Sequence, residues 1–206
     1  MGKSCRLPFL PRENEIKIPF YKIHCDLWGP ALISSREKFR YYKIFVDELP
    51  ILLGFSLWKE VRIFNYFDLF YKYVECQFKA KICVFQSDEG WEFANCAFLQ
   101  FLATKGIHHQ SACPKTLEQN GKAERKHWNI TELGLTMMFH AYLPPRFWTD
   151  CFSTVVFLIN RLPSPHLNME SPFFKFYGRN LDYSSLRVLA QSALLTFVSI
   201  DHISLI

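Results

Sequence analysis

The sequence has no C-x-x-C pair, although it holds seven cysteines, placed singly at positions 5, 25, 76, 83, 96, 113 and 151. An odd count without paired spacing gives neither a disulfide framework nor a zinc site, and His108-His109 has no cysteine pair at a suitable distance. The thiols read as small apolar residues kept reduced inside a cell. No leading apolar signal segment is present. No apolar run is long enough to cross a membrane: Val188 to Ile200 is too short and holds Gln191 and Ser192. Internal repeats and low-complexity tracts are also missing, and so is a large charge excess. The net charge of +5 is compatible with a polyanionic partner and equally common in ordinary proteins. Half of the 206 residues are hydrophobic and 21 are phenylalanine, which excludes general disorder and leaves room for one sizeable core.

Taken in order, residues 1–20 read as a proline-bearing arm or linker. Tyr21 to Trp28 is a strand stopped by Gly29-Pro30, Phe39 to Val46 a second, and Ile51 to Trp58 a third, together an antiparallel meander. The spacing predicts a helix over Glu60 to Phe78, a strand over Lys81 to Phe85 and a short helix over Ala94 to Lys105 closed by Gly106. A last strand, Ile107 to Ala112, leads into a polar loop. A helix from Gly121 to His140 follows, then one from Pro145 or Arg146 to Leu162, with proline at its start and beyond its end, and a short one over Ser171 to Tyr177. A meander followed by alternation implies an α/β fold, a mixed sheet covered by helices.

Asp26 and Asp88 each fall at the end of an expected strand, and Glu124 falls near a helix start, with Asn120 as a candidate N-cap. On a helical wheel Lys122 and Lys126 share one face, while Glu124 goes with Gly121, His127 and Trp128. Taken singly, each aspartate is a turn former and the helix start is a solvated charge cluster. Together they are three acids from distant parts of the chain, a set that suits magnesium. That ion takes carboxylate, phosphate and water oxygens, and two such ions about 4 Å apart promote in-line phosphodiester displacement.

The segments HCDLWGP (24–30), FRYYKIFVDE (39–48), FQSDEGWEF (85–93), GIHHQSACPKTLEQNGKAERKH (106–127) and FLINRLPS (157–164) resemble, in order, the integrase of copia-type LTR retrotransposons. The likeness covers roughly residues 3–188. The family's acids fall here on Asp26, Asp88 and Glu124. The last two lie 36 positions apart, the separation that names the D-D-35-E class of transposases and integrases. The resemblance implies a ribonuclease-H-like mixed five-stranded sheet flanked by helices, two bound Mg2+ or Mn2+ ions and no zinc in this fragment. It also implies integration of element DNA by strand transfer after trimming of a DNA end. Asp26, Asp88 and Glu124 would hold the metals, and Gln119, Asn120, Lys122 and Lys126 would hold the DNA backbone. The expected partners are element ends, target DNA and further copies of the chain, with no membrane; the expected place is intracellular, the nucleus if active. Asp47, Glu89, Glu92 and Glu118 lie outside the motif positions and are assigned to turns, caps or salt bridges.

The chain also departs from the family. Glu89-Gly90-Trp91 replaces Asn-Gly-Gly, Leu117-Glu118 replaces Pro-Gln, and Leu49 to Leu53 replaces the usual start of the third strand. The division expected is an arm at 1–20, left after a missing zinc-binding region, a catalytic core at 21–181 and a divergent tail at 182–206. Two readings follow: a metal-dependent polynucleotidyl transferase, or a decayed or repurposed remnant that binds nucleic acid or a partner without turnover. A relative that only cuts RNA in hybrids is disfavoured by the QNGKAER segment.

Overall fold

The structure is a computed structural model that describes residues 18–49, 53–59, 63–88, 96–111, 121–179, 181, 183–184 and 203–204. Alternating aromatic and branched residues build the meander: β1 (Lys22–Trp28), β2 (Tyr41–Asp47) and β3 (Leu53–Trp58), paired antiparallel in sequence. The register of β3, doubtful from sequence, is fixed by pairs such as Ile44↔Phe55 and Tyr41↔Trp58. Helix α1 (Ile63–Phe78) then crosses back, and β4 (Val84–Ser87) joins β1 in parallel. Helix α2 (Cys96–Thr104) leads to β5 (His108–Ser111), parallel to β4; Gly106, at φ +68, makes the turn between them. The sheet order is thus β5-β4-β1-β2-β3. A two-residue β6 (Ile203–Ser204), not expected from sequence, covers the β3 edge. The expected five-stranded mixed sheet is present, with this strip added.

Helix α3 (Gly121–His140) has the bounds read from sequence. The next expected helix divides into a 3-10 turn, Pro145–Phe147, and α4 (Trp148–Ile159); α5 (Pro172–Tyr177) is capped by the Ser171 side chain. The strand expected at Lys81–Phe85 is displaced, because pairing with β1 begins only where β1 itself begins, at Lys22↔Val84. Two cores result. On one face Ile23, Cys25, Phe45 and Phe85 meet Phe67, Phe70 and Val74 of α1 and Phe98 of α2; on the other, Tyr42, Ile44 and Phe55 meet α3 and α4. Among the described residues no helix is long and apolar enough to cross a membrane.

Two contacts hold the second layer. The buried Asn160 carboxamide accepts from the Leu53 backbone N–H at 3.0 Å and donates to the Leu53 carbonyl at 2.8 Å, so it ties the end of α4 to β3. Along α3 the stripe Ala123, Ile130, Gly134 and Met138 is buried. At Gly134 an added Cβ would stand 2.2 Å from Phe152 Cδ1. Small size at this position is what lets α3 sit against α4.

Asp47 is a structural acid. Its strand partner is Ile23, a residue of the α1/α2 core, so it faces away from α3, and its Oδ1 accepts the Phe20 backbone N–H at 3.0 Å. Of the turn, cap or salt-bridge roles expected for the acids outside the motif positions, Asp47 has this backbone bond. Burial pushes its carboxyl from the ordinary aspartate range up to about 7, and backbone N–H groups only partly oppose this. The folded state therefore holds the proton more tightly than the unfolded chain. Its contribution to stability is complete below about pH 4 and is lost as pH rises to about 7.

Two expectations follow. In urea titrations, Asp47→Asn flattens the fall in unfolding free energy between about pH 4 and 7; an unchanged slope would contradict the buried carboxyl. Gly134→Ala lowers stability by about 1–3 kcal/mol through overpacking on Phe152, outweighing the ~1 kcal/mol gain in helix propensity; a more stable variant would mean that α3 and α4 are not in this contact.

Candidate active site

Side chains alternate along a strand, so Lys22, His24 and Asp26 of β1 share the face opposite Ile23 and Cys25. In β4 the same alternation sets Gln86 opposite Phe85. The parallel pair His24↔Gln86 puts those two residues side by side. Two residues further along stand Asp26, the fifth of the seven residues of β1, and Asp88, one residue past β4, both half-buried and towards the carboxyl ends of neighbouring parallel strands. This is where open α/β sheets place ligands.

Glu124 arrives from the other direction. It lies in the first turn of α3, one residue past Ala123, which is buried against the sheet. Its side chain as a whole is exposed, yet its carboxyl is pushed above the ordinary glutamate range. Lost hydration is the first cause, the charges of Asp26 and Asp88 come next, and Arg125 opposes them. The three acids are therefore electrostatic neighbours despite their separation in sequence. Among the described residues no three His, Cys, Asp or Glu side chains are gathered tightly enough to cage a metal ion. The donor set itself suits one: three carboxylates supply only oxygen, and the repulsion of Glu124 by Asp26 and by Asp88 is of a kind a divalent cation would relieve.

Asp26 is braced on both sides. Its Oδ1 accepts the Leu27 N–H at 3.0 Å, and its Oδ2 stands 3.3 Å from His127 Nδ1, a contact too poorly aligned for a hydrogen bond. The His127 ring stacks on Tyr42 at 4.9 Å. The helical wheel had grouped His127 with Glu124 and Trp128. Instead His127 is half-buried against the sheet and Trp128 is exposed, because the line of contact with the sheet runs between them.

The residues expected to hold DNA fare differently. Gln119 and Asn120 lie outside the described residues, as do Glu89, Trp91, Glu92 and Glu118. Lys126 is half-buried, and burial lowers its ammonium from the usual lysine range. Lys122 turns back onto the protein. Its Nζ donates to Glu48 Oε1 at 2.7 Å and to the Glu48 carbonyl at 3.0 Å. Glu48 Oε2 is hydrogen-bonded in turn to Nε2 of the buried His24. Burial alone would raise the Glu48 carboxyl, but its bonds to His24 and Lys122 outweigh this and hold it well below the usual range. Burial lowers His24 from the ordinary histidine range despite its bond to Glu48.

Sequence reasoning missed this His24–Glu48–Lys122 group. One signal was available: His24 precedes Asp26 by two positions in a strand and so must share its face. No local spacing points to Glu48, which meets residues 24 and 74 positions away.

No protein-family model matches the chain. A retrovirus-related Pol polyprotein from transposon RE1 of Arabidopsis thaliana is 37% identical over 189 residues, 91% of this chain. The chain spans about 13% of the length of that polyprotein. Among solved structures, the HTLV-2 integrase catalytic core domain in complex with magnesium, in a trimeric form, matches with a TM-score of 0.58 at 14% identity; the match covers 78% of this chain and 99% of that one. A simian T-cell lymphotropic virus intasome in complex with the PP2A regulatory subunit B56 gamma matches with a TM-score of 0.64 at 14% identity, over 87% of this chain and 62% of that one. In sequence the chain is a relative of the retrovirus-related Pol polyproteins of copia-type transposons, and its fold is the ribonuclease-H-like fold of an integrase catalytic core.

Proposed function

We propose that this chain is a retrotransposon integrase core that joins a DNA 3′ hydroxyl to a target phosphodiester, with Asp26, Asp88 and Glu124 holding Mg2+ or Mn2+. The observation that carries the reading is the raised carboxyl of Glu124, pushed up in part by the charges of Asp26 and Asp88. Carboxylates that repel one another cost folding energy, and repulsion of this kind is a mark of functional sites.

When bound, paired divalent ions would supply an activated oxygen nucleophile and neutralise charge on the leaving oxygen. The chain's own part is positional. Asp26 is carried by β1 and Asp88 by the residue that follows β4, so both acids hang from neighbouring strands of the sheet, while Glu124 is carried by a helix packed across it. Lys126, Gln119 and Asn120 would hold phosphate beside the acids without reading sequence. Lys122 is left out of that role, because its ammonium is engaged with Glu48. DNA ends, target DNA and further copies of the chain are the partners this chemistry requires, and the nucleus is where it would act. The likeness to an integrase core solved with magnesium and to an intasome supports this reading.

A second reading has an observation in its favour: the three acids do not form a closed cage among the described residues. On that reading the chain binds nucleic acid without turnover.

The test is incubation of the purified chain with labelled duplex ends and manganese, beside Asp88→Asn. Joined products should form with the wild-type chain and fall by more than about a hundredfold in the variant, beyond the 10–100-fold typical of losing an outer partner of a metal ligand. Equal yields from both proteins would remove the catalytic claim. DNA binding without joined products from either would favour the second reading.

A further inference from the structure

We propose that Glu48 is a positioning residue that clamps the first turn of α3 to β1 and thereby sets where Glu124 stands relative to Asp26. The proposal rests on the reading of Asp26, Asp88 and Glu124 as a metal site. Glu48 follows the last residue of β2 and is nearly buried, at 8% exposure. One carboxylate oxygen takes the bond from His24 Nε2; the other takes Lys122 Nζ at 2.7 Å, and the same ammonium also reaches the Glu48 carbonyl at 3.0 Å. His24 stands two residues before Asp26 on the same face of β1, and Lys122 two residues before Glu124 in the same helical turn. Each arm of the clamp thus ends two residues from a proposed ligand, on the two elements whose relative placement decides the distance between those ligands.

A fastening of this kind is a poor choice if adhesion is all that is needed. Burying the Glu48 carboxylate costs hydration that an apolar contact would not lose. Hydrogen bonds, unlike apolar contacts, fix direction, and the two that Lys122 Nζ makes to Glu48 tie the first turn of α3 to the residue that follows β2. Glu48 touches none of the reacting atoms and acts through the placement of Glu124.

Manganese binding to the DNA-free chain, followed by electron paramagnetic resonance, tests the clamp apart from any DNA contact. Lys122 is a cation near the acids, so deleting it would tighten metal binding if charge alone mattered. The clamp predicts the reverse. Lys122→Ala should weaken Mn2+ binding by about 10–100-fold, the range seen when a partner that orients a ligand is lost. Lys122→Arg, which still reaches Glu48, should restore most of it. Far-UV circular dichroism keeps the comparison to folded protein. Should Lys122→Ala unfold, Lys122→Met, which keeps the stem and removes the ammonium, serves as the second variant, with weakened binding again expected. Unchanged or tighter binding in folded Lys122→Ala, while Asp88→Asn loses the metal, would overturn the clamp and leave the site. If Asp88→Asn binds manganese as well as the wild-type chain, the site itself fails and the clamp fails with it.

Discussion

Parallel pairing of β1 with β4 is the constraint on which the site depends. Three register pairs, from Lys22↔Val84 to His24↔Gln86, decide which side chains share a face and how far each strand reaches. Shifting that register by one residue would send Asp88 to the α1/α2 side, among the phenylalanines, and leave Asp26 with no neighbouring acid. Ile23, Cys25 and Phe85 hold these strands from one side in the first core, and α3 lies against β1 on the other. The aromatic excess of the sequence is therefore part of the chemistry at one remove: it fixes the strands that hold the acids.

The second layer is fastened by polar contacts where it must be placed accurately and by small residues where it must come close. Asn160 matches both backbone groups of Leu53, Gly134 admits the ring of Phe152, and Glu48 takes bonds from His24 and Lys122. Buried acids divide between two tasks. Asp47 and Glu48 are neighbours in sequence, yet Asp47 faces the first core as a cap and Glu48 meets β1 and α3.

Much of this was legible in the sequence. The meander, the helix over Gly121–His140 and the places of Asp26 late in β1 and Asp88 just past β4 follow from alternation, caps and turn residues. Errors arose where a partner decides the outcome. The strand expected at Lys81–Phe85 begins at Val84 because β1 offers no earlier pairing, and β6 exists only as an addition to β3. His127 was placed with Trp128 because a wheel shows angles and not the sheet beneath. Glu48 drew no attention because its meaning lies in contacts 24 and 74 residues away. The acids themselves were found through motif order; their convergence required the fold.

Anomalous diffraction from crystals of the chain grown with manganese would locate the metal directly. If the strand ends and the first turn of α3 form one site, the peak lies between the carboxylates of Asp26 and Asp88 with Glu124 beside it. A peak elsewhere on the surface, with Asp26 and Asp88 turned apart and Glu124 in solvent, would contradict it.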